Sequence, residues 1–341
     1  MVSVAVLGAT GMVGREMLDI LLERSFPFDN LKLLASERSV GKKISCRGRD
    51  FLVEKATPES FEGVDIVLAS AGAKISQELA PHAVKAGAVV IDNTSAFRMD
   101  PDVPLVVSEV NPEALKSHRG IIANPNCSTA QLVLVLHPLR ELGRIERVTV
   151  ATYQSVSGAG KDAVDELMEQ SAAYLRGEKT PPYHLSKPIA FNLIPQIDLF
   201  LENGYTKEEM KMTNETKKIL GDQSLRLSAT AVRVPVPVGH SEAVQIEFDR
   251  EVGVEEVKKI LARAHGVKLM DDPATLTFPQ PSDVAGKDEV LVGRIRADVS
   301  HPHGLALWVV GDNLRKGAAL NAVQIAEVLL EKGWLKIKEQ Q

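Results

Sequence analysis

Apolar positions in the first third of the chain form short runs of β-branched residues, separated by longer stretches in which apolar residues recur at helical spacing. The short runs predict buried strands at residues 2–7, 31–35, 64–69 and 88–91. The stretches between them predict helices at residues 12–24 and 73–86, the second of which ends at Gly87. Strands and helices that alternate in this order predict an α/β domain built on a parallel sheet.

The pattern changes beyond residue 127, where longer strands alternate apolar and polar residues, as in residues 244–249. This alternation predicts a sheet with one covered face. Further elements are predicted as helices at residues 161–176, 254–264 and 317–332, and as strands at residues 290–297 and 305–310. Residues 177–195 are rich in proline and receive no assignment. We therefore expect a mixed α+β domain after the α/β domain.

Length and composition limit the class of protein. A chain of 341 residues with 44% hydrophobic content can form two domains, each with its own core. The net charge is -5 and both signs are scattered, which argues against nucleic acid or an anionic membrane as a partner. The start of the chain lacks signal-peptide features and no apolar run approaches about 18 residues, so we expect a cytoplasmic protein that binds small molecules.

Two cysteines are present, Cys46 and Cys127, which is too few for a disulfide framework or a cysteine-rich zinc site. His301 and His303 have the spacing of a metal pair, but no carboxylate or cysteine nearby completes a site, so they are interpreted as a surface loop. We expect no metal.

A glycine-rich segment follows the first predicted strand directly and opens the first helix. It reads Gly8-Ala9-Thr10-Gly11-Met12-Val13-Gly14. Glycines in this context let the backbone approach a pyrophosphate, and the N–H groups and dipole at the helix start bind its charge. The alternative is an ordinary tight turn. The context favours dinucleotide binding.

The residues after the second predicted strand bear on the choice of cofactor. Glu37 could accept a hydrogen bond from a ribose 2′-hydroxyl, as in NAD enzymes, whereas Ser36, Arg38 and Ser39 could donate to the 2′-phosphate of NADP. We favour NADP, because three donors crowd the position and an acid beside an arginine is commonly a solvated surface charge.

Cys127 stands where a turn, Asn124-Pro125-Asn126, meets a predicted helix at residues 128–136, which Pro138 must kink or end. The partial positive charge at a helix start favours a thiolate, the nucleophilic form of cysteine. Taken alone, a cysteine in an apolar protein is more often a small buried residue. Cys46 lies in a charged, hairpin-like stretch and is interpreted as structural.

A thiol nucleophile needs a base, and His240 is the histidine whose neighbours in the sequence include a polar residue on a predicted strand, Arg233. It follows a predicted strand that carries Ala229 and Ala231 on one face and Arg233 on the same face. Prolines and Gly239 then turn the chain before His240. A guanidinium and an imidazole directed at one cleft, or an unrelated pair, are both consistent with this pattern.

Together these segments resemble the aspartate-semialdehyde dehydrogenase family along the whole chain. The matching motifs, in order, are the glycine segment at residues 8–14, Asp92-Asn93-Thr94-Ser95-Ala96-Phe97-Arg98, Asn124-Pro125-Asn126-Cys127-Ser128-Thr129, and Gly239-His240. The presence of Cys127 excludes the paralogues that lack the cysteine.

The resemblance implies roles for individual residues in catalysis and substrate binding. Cys127 would form the thioester, His240 would act as general acid and base, and Gln154 would position the substrate. The implied substrate-binding residues are Arg233 for the α-carboxylate, Glu208 for the amino group, Arg98 and Lys211 for phosphate, and Asn126 beside the acyl and phosphate groups. Without the resemblance, residues 207–211 would be interpreted as a charged helix surface.

The resemblance also assigns the cofactor site and the reaction. NADP(H) would contact Thr10, Gly11, Met12, Val13, Arg38 and Ser39 and, at the nicotinamide half, Ser157, Gly158 and Asn313. The residue patterns described above add Gly8 and Ser36 to the predicted cofactor site. The reaction would be NADPH-dependent reduction of L-aspartyl 4-phosphate to L-aspartate 4-semialdehyde through a cysteine thioester, in biosynthesis of lysine, methionine, threonine and isoleucine.

For architecture, the resemblance implies a Rossmann-type NADP-binding domain of residues 1–126, completed by a C-terminal helix of residues 318–341. Residues 127–317 would form a catalytic and dimerisation domain, in a homodimer or a homotetramer. Three alternatives remain at this point: a related reductase acting on a glutamyl phosphate, a cysteine hydrolase, and a dinucleotide-binding sensor without catalysis.

Overall fold

The computed structural model describes residues 2–335. Within them the strands are β1 Val2–Leu7, β2 Phe28–Ala35, β3 Lys43–Cys46, β4 Arg49–Lys55, β5 Ile66–Ala69, β6 Val89–Asp92, β7 Ile121–Ala123, β8 Ile145–Gln154, β9 Arg226–Arg233, β10 His240–Phe248, β11 Val267–Leu269, β12 Val290–Ala297 and β13 Gly304–Gly311. The α-helices are α1 Met12–Glu23, α2 Ala73–Lys85, α3 Cys127–Leu139, α4 Lys161–Leu175, α5 Lys207–Leu220, α6 Val254–Arg263, α7 Pro281–Val284 and α8 Leu320–Lys332.

The described residues form two compact units. The first runs to Asn126 and resumes at Ala318, and the second is Cys127–Gly317. No helix within residues 2–335 has both the length and the apolar character needed to cross a membrane.

The first unit is built on a mostly parallel sheet, which confirms the predicted alternation of strands and helices. Among the described residues its strand order is β3-β4-β2-β1-β5-β6-β7, and only the edge pair β3 and β4 is antiparallel. All residues of β5 and β6 are buried, because helices cover both faces of the parallel part. The β3–β4 hairpin, which was not assigned as strands, turns at Arg47 and Gly48, both at positive φ.

The helix α8 belongs to the first unit and packs in its core. Leu320, Val323 and Leu329 are at most 1% exposed and pack in one cluster with residues of β1 and α1. Arg24, just after α1, binds Glu327 of α8 through two hydrogen bonds of 2.7 and 2.8 Å. The helix α8 therefore completes the core that the first strands begin, and the part of the predicted C-terminal helix at residues 336–341 lies outside the described residues.

The second unit is built on a mixed sheet with the order β11-β12-β13-β10-β8-β9 among the described residues. The predicted alternation is confirmed in β10, where Val244, Ile246 and Phe248 are at most 1% exposed and Gln245 and Glu247 are half-buried. The helix α3 contacts β13, α5 and α6, and nearly all of its residues are buried. Pro138 is its penultimate residue, as expected for a proline that ends a helix.

The helix α5 is partly buried, in contrast to the surface helix that its charges predict. Thr206 and Glu209 form a capping box at its start, and Glu209 also accepts a hydrogen bond from the backbone of Ala231 at 3.0 Å. The helix contacts β9 and buries the face that carries Glu208, Glu209 and Met212, which places Glu208 beside Gln154 at the end of β8.

Candidate active site

A cavity of about 590 Å³ lies at the carboxyl ends of the strands in the first unit, beside the glycine segment. This is the edge of a parallel sheet where ligands bind. Its lining includes five of the predicted cofactor residues, namely Gly8, Thr10, Gly11, Ser36 and Arg38. Met12 and Val13 follow in the first turn of α1 and are half-buried.

The glycines of this segment are required by close backbone contacts. Gly8 has φ 90°, and a Cβ there would lie 2.9 Å from the backbone of Ala71. A Cβ on Gly14 would lie 2.2 Å from the Gly8 carbonyl oxygen. Gly8 therefore permits the turn and Gly14 the close approach of α1 to the strand, and together they leave a cradle that a side chain would fill.

The structure bears on the two interpretations of residues 36–39, in which Glu37 binds NAD or Ser36, Arg38 and Ser39 bind NADP. Ser36 and Arg38 line the cavity, whereas the Glu37 side chain is 70% exposed and forms an ion pair with Lys55 of β4. Ser39 is buried in the short turn that follows β2 and is not among the lining residues. The donors at this end of the cavity are therefore Ser36 and Arg38, and the acid is already paired.

The cavity is also lined by residues that the sequence pattern did not single out. They are Thr57 and Pro58 after β4, Ser70 and Ala71 after β5, and Ile75, Glu78 and Leu79 of α2. Recognition of β4 as a parallel strand would have predicted Thr57 and Pro58, because parallel strands end at the same edge of the sheet.

Cys127 is the first residue of α3 in the second unit and is half-buried. Gly317 lies against it, so that a Cβ at position 317 would lie 2.7 Å from the Cβ of Cys127. By contrast, Cys46 donates a hydrogen bond to Asp19 at 3.3 Å, and burial together with this carboxylate raises the pKa of its thiol to about 11. The raised pKa keeps Cys46 a thiol at pH 7, whereas Cys127 lies at a helix start, where a thiolate is favoured.

His240 is the first residue of β10 and is fully buried. Its Nδ1 accepts a hydrogen bond from the backbone N–H of Ser155 at 3.1 Å, and the Ser155 hydroxyl lies 3.0 Å away. Nε2 has no hydrogen-bond partner among residues 2–335. Burial and then the charge of Arg233 lower the pKa of His240 well below its ordinary value, so the ring is neutral at pH 7. Because a backbone N–H can only donate, the neutral ring carries its proton on Nε2.

A buried polar network holds the loop that supports His240. The Oδ1 of Asn313 accepts from the hydroxyls of Ser155 and Ser157 at 3.1 and 3.2 Å and from the backbone N–H of Gly239 at 2.9 Å. The amide of Asn313 thus joins the segments on both sides of the imidazole. Ser155 was not singled out in the sequence, although it directly follows Gln154 at the end of β8.

Arg233 ends β9 and is 6% exposed, on the face predicted from the strand pattern. It donates a hydrogen bond to the Ser155 carbonyl at 2.7 Å. Burial lowers the pKa of Arg233, while the charges of Glu208 and Cys127 oppose this effect. A Cβ at Gly158 would lie 2.9 Å from the Nη1 of Arg233 and 3.1 Å from the Nε2 of His240, so a side chain there would crowd both groups.

Three of the predicted site residues form a hydrogen-bonded chain. Gln154 donates through Nε2 to Glu208 at 3.1 Å, and Lys211 binds the other oxygen of Glu208 at 3.2 Å and Asp198 at 2.8 Å. Burial lowers the pKa of Lys211, but the carboxylates of Glu208 and Asp198 more than compensate, so the pKa is raised and the ammonium stays charged. Asp198 was not predicted.

Two further predicted residues belong to the first unit. Arg98 is 7% exposed and donates to the Asn93 carbonyl at 2.8 Å. Asn126 is 6% exposed and precedes Cys127 in the chain.

Family models match both units. The model described as semialdehyde dehydrogenase, NAD binding domain, matches residues 3–118, and the model described as semialdehyde dehydrogenase, dimerisation domain, matches residues 136–316. The first match agrees with a nicotinamide dinucleotide cofactor at the glycine segment.

Similar proteins match over nearly the full length. The aspartate-semialdehyde dehydrogenase of Bacillus subtilis is 55% identical over 334 residues, which are 96% of each chain. The crystal structure of aspartate semialdehyde dehydrogenase II from Vibrio cholerae, complexed with ASA, is 52% identical, covers 97% of this chain and 98% of that one, and has a TM-score of 0.94. The enzyme from Candida albicans, crystallised with NADP, is 29% identical, covers 98% of this chain and 99% of that one, and has a TM-score of 0.77.

These matches confirm the resemblance seen in the motifs, and they leave the glutamyl-phosphate reductase, the hydrolase and the sensor unfavoured. The chain therefore belongs to the aspartate-semialdehyde dehydrogenase family of nicotinamide-dependent oxidoreductases that act on an aldehyde group.

Proposed function

We propose that the chain interconverts L-aspartyl 4-phosphate and L-aspartate 4-semialdehyde, with NADPH as the reductant in the biosynthetic direction. The observation that carries this proposal lies in the second unit, where the buried side chains of Arg233 and His240 both lie beside Gly158 and Cys127, at the start of α3, is near enough to act on the guanidinium of Arg233. NADPH, when bound, supplies the hydride that reduces the thioester.

Cys127 acts as a thiolate. The N–H groups and dipole at the start of α3 stabilise a negative sulfur, and the positive charge of Arg233 adds to this effect. The sulfur attacks the acyl carbon of the aspartyl phosphate, a C–S bond forms, and phosphate departs with the electrons of the C–O bond and takes up a proton. Division of acyl transfer into thioester formation and reduction gives two lower barriers.

His240 acts from Nε2. The resemblance implies a general acid and base, and the hydrogen bond from Ser155 to Nδ1 favours Nε2–H as the resting state. We propose that this N–H first donates to the acyl oxygen as negative charge develops there, as a neutral imidazole can. Thiolate formation then rests mainly on the helix start and Arg233, and less on proton transfer to this ring.

The remaining site residues hold the substrate. We propose that Arg233 binds the α-carboxylate of the substrate through bidentate hydrogen bonds and that Glu208 binds its amino group. Gln154 fixes the orientation of Glu208 through its 3.1 Å hydrogen bond. Lys211 contributes a positive charge for phosphate, and Asp198 keeps it in place. Arg98 and Asn126 keep the roles that the resemblance implies.

The cofactor that we propose is NADP(H), held through its phosphates by Gly8 and residues 10–13 and through its 2′-phosphate by Ser36 and Arg38, with Ser39 in the same turn. The ion pair of Glu37 with Lys55 supports this choice, because it directs the only acid of the segment to another partner. Ser157 and Gly158 remain proposed contacts of the nicotinamide half. We propose that Asn313 acts there mainly through the network with Ser155 and Gly239.

We also propose that the chain assembles as a homodimer or a homotetramer through the second unit, which the dimerisation-domain model matches. Large apolar side chains of residues 174–200 are exposed in the single chain, and Tyr174, Phe191, Leu199 and Phe200 are each more than 60% exposed. Light scattering after size exclusion is expected to give two or four times the chain mass, and a monomer would exclude the proposal.

One assay tests the activity. Phosphate-dependent reduction of NADP is measured with aspartate semialdehyde and with the semialdehyde that is one carbon longer. We expect turnover with the first and a large loss with the second. Equal turnover would identify the longer acyl group as a substrate, and the absence of any phosphate-dependent reduction would refute the proposed function.

The nucleophile is tested separately with Cys127→Ala and Cys46→Ala. Only the change at Cys127 is expected to abolish turnover, while NADP binding remains close to that of the unmodified chain. Turnover well above background in Cys127→Ala would exclude this residue as the nucleophile.

A further inference from the structure

A buried carboxyl group outside the proposed catalytic set lies on the strand that begins at His240. Glu242 follows His240 by two positions on β10 and is 0% exposed. Neither carboxyl oxygen has a hydrogen-bond partner of good geometry among residues 2–335, although the side-chain amide of Gln131 is near enough to act on the group. An unpaired acidic residue is unfavourable in such surroundings, because burial of a charge that has no partner destabilises the folded state.

The position of Glu242 in the sheet relates it to the site. β10 lies between β13 and β8, and Glu242 is opposite Val309 on one side and Thr152 on the other. Side chains two positions apart share a face of a strand, so Glu242 lies on the same face as His240. Thr152 is also fully buried and lies on that face, where it accepts a hydrogen bond from Gln154 at 3.3 Å.

Gln131 links this face to the helix of the nucleophile. It follows Cys127 by four positions in α3, which places both side chains on the same side of that helix. Its Nε2 donates to the backbone carbonyl of His240 at 3.3 Å. A Cβ at Gly311 would lie 2.7 Å from its Oε1, so the amide is packed tightly against β13 as well.

We propose that Glu242 is a positioning residue which, together with Gln131, fixes the helix that carries Cys127 against the strand that begins at His240. The proposal rests on the proposed function, since it assigns Cys127 and His240 as the reacting pair. It adds a residue that acts through Gln131 and does not touch the substrate.

The protonation state of Glu242 follows from its surroundings. Burial raises the pKa of this carboxyl well above its ordinary value, and the amide of Gln131 opposes the effect only in part. A neutral carboxylic acid can both donate to and accept from a neighbouring amide, and a glutamine can do the same with nearly the same shape. An ionised carboxylate would instead place a negative charge near the helix that stabilises the thiolate.

The test compares Glu242→Gln with Glu242→Ala. Val244→Ala serves as the control, because Val244 is the next residue on the same face of β10, is 1% exposed and has only apolar partners, Val150 and Leu307, beside it. The measurements are kcat, KM for each substrate, and the rate at which iodoacetamide alkylates Cys127, resolved from Cys46 by peptide mass spectrometry.

Glu242→Gln is expected to stay within about threefold of the unmodified chain in kcat and in the alkylation rate of Cys127. Glu242→Ala is expected to lower kcat by about 10- to 100-fold with little change in KM, since small displacements of reacting groups have effects of this size. The alkylation rate of Cys127 is expected to change by at least about threefold in either direction. Val244→Ala is expected to lower thermal stability without either change.

Two outcomes overturn the proposal. If Glu242→Gln is as impaired as Glu242→Ala, the negative charge matters and the neutral positioning role is wrong. If Glu242→Ala behaves like Val244→Ala, the residue serves only the core. Should Glu242→Ala fail to fold, Gln131→Ala replaces it, and unchanged kcat and alkylation of Cys127 in that variant would equally refute the proposal. Failure of the proposed function would be seen as a lack of phosphate-dependent reduction in the unmodified chain. Failure of the role of Glu242 would be seen in the alkylation rates, which can be measured without turnover.

Discussion

Gly317 lies directly against Cys127, and a Cβ at position 317 would be 2.7 Å from the Cβ and 3.0 Å from the Cα of the cysteine. Because the nearest atoms are the Cβ and the backbone of Cys127, no flexible side-chain end can move aside. Gly317→Ala is therefore expected to cost about 1 to 3 kcal/mol of unfolding free energy and to lower kcat by more than about tenfold. Chemical denaturation and steady-state rates measure the two effects.

The control is Gly253→Ala at the start of α6, where the atoms nearest to a Cβ belong to the flexible side chain of Glu256, with Oε2 at 3.2 Å. It should leave kcat unchanged. Normal turnover in Gly317→Ala would show that the contact with Cys127 can relax freely.

The second prediction concerns the ionisation of His240. Burial and the neighbouring charge of Arg233 lower its pKa well below 6.5, so the ring stays neutral and gains a proton only at pH values well below that. Side-chain ¹⁵N NMR of His240 is expected to report an Nε2–H tautomer with no titration between about pH 5.5 and 7.5. A titration near pH 6.5, or a proton on Nδ1, would contradict both the neutral ring and its role as a donor from Nε2.

The third prediction follows from the raised pKa of Glu242. A folded-state pKa above the unfolded value makes the carboxyl favour folding at low pH, and this contribution is lost as pH rises from about 4.5 towards the folded-state pKa. Glu242→Gln does not titrate. Its unfolding free energy relative to the unmodified chain is expected to rise with pH by up to about 1.4 kcal/mol per unit in this window.

Denaturation at several pH values above about 5 measures this slope. Glu247→Gln is the control on the same strand, because Glu247 binds Arg147 at 2.7 Å near the surface. A stability difference for Glu242→Gln that does not change with pH would mean that Glu242 is ionised in the folded protein.

The fourth prediction concerns cofactor choice. Arg38 lines the cavity of the first unit, whereas Glu37 is paired with Lys55. Arg38→Ala is expected to raise KM for NADP by about 10- to 100-fold, the size of a lost charge-assisted contact, and to change KM for NAD little. Glu37→Gln is the control and should alter neither value. Equal losses with both cofactors in Arg38→Ala would refute a contact with the 2′-phosphate.

The fifth prediction concerns phosphate. Lys211 is held by Glu208 and Asp198, and its ammonium stays charged. Lys211→Met is expected to raise KM for phosphate by about tenfold or more, because an ionic contact is lost. Lys207→Met, at the exposed start of the same helix, should have no such effect. An unchanged KM for phosphate in Lys211→Met would remove this residue from the phosphate site.

The sequence alone determined the features that depend on neighbouring residues. The parallel sheet of the first unit follows from local periodicity, the glycine segment from its place between β1 and α1, and the position of Cys127 from the turn that precedes α3. Even the orientation of Arg233 follows from the alternation along β9. In each case the physical cause lies within one or two turns of chain.

The tertiary structure decided everything that depends on pairing between distant segments. The register of β8 with β9 and β10 brings Gln154, Arg233 and His240 together at one end of these three strands. The burial of one face of α5 places Glu208 beside them. The pairing of β2 with β4 gives Glu37 a partner in Lys55. The alternation along β10 puts Glu242 on the face of Val244, but only the packing of α3 over the central strand buries its carboxyl group completely, because the depth of burial is a property of the assembled layers.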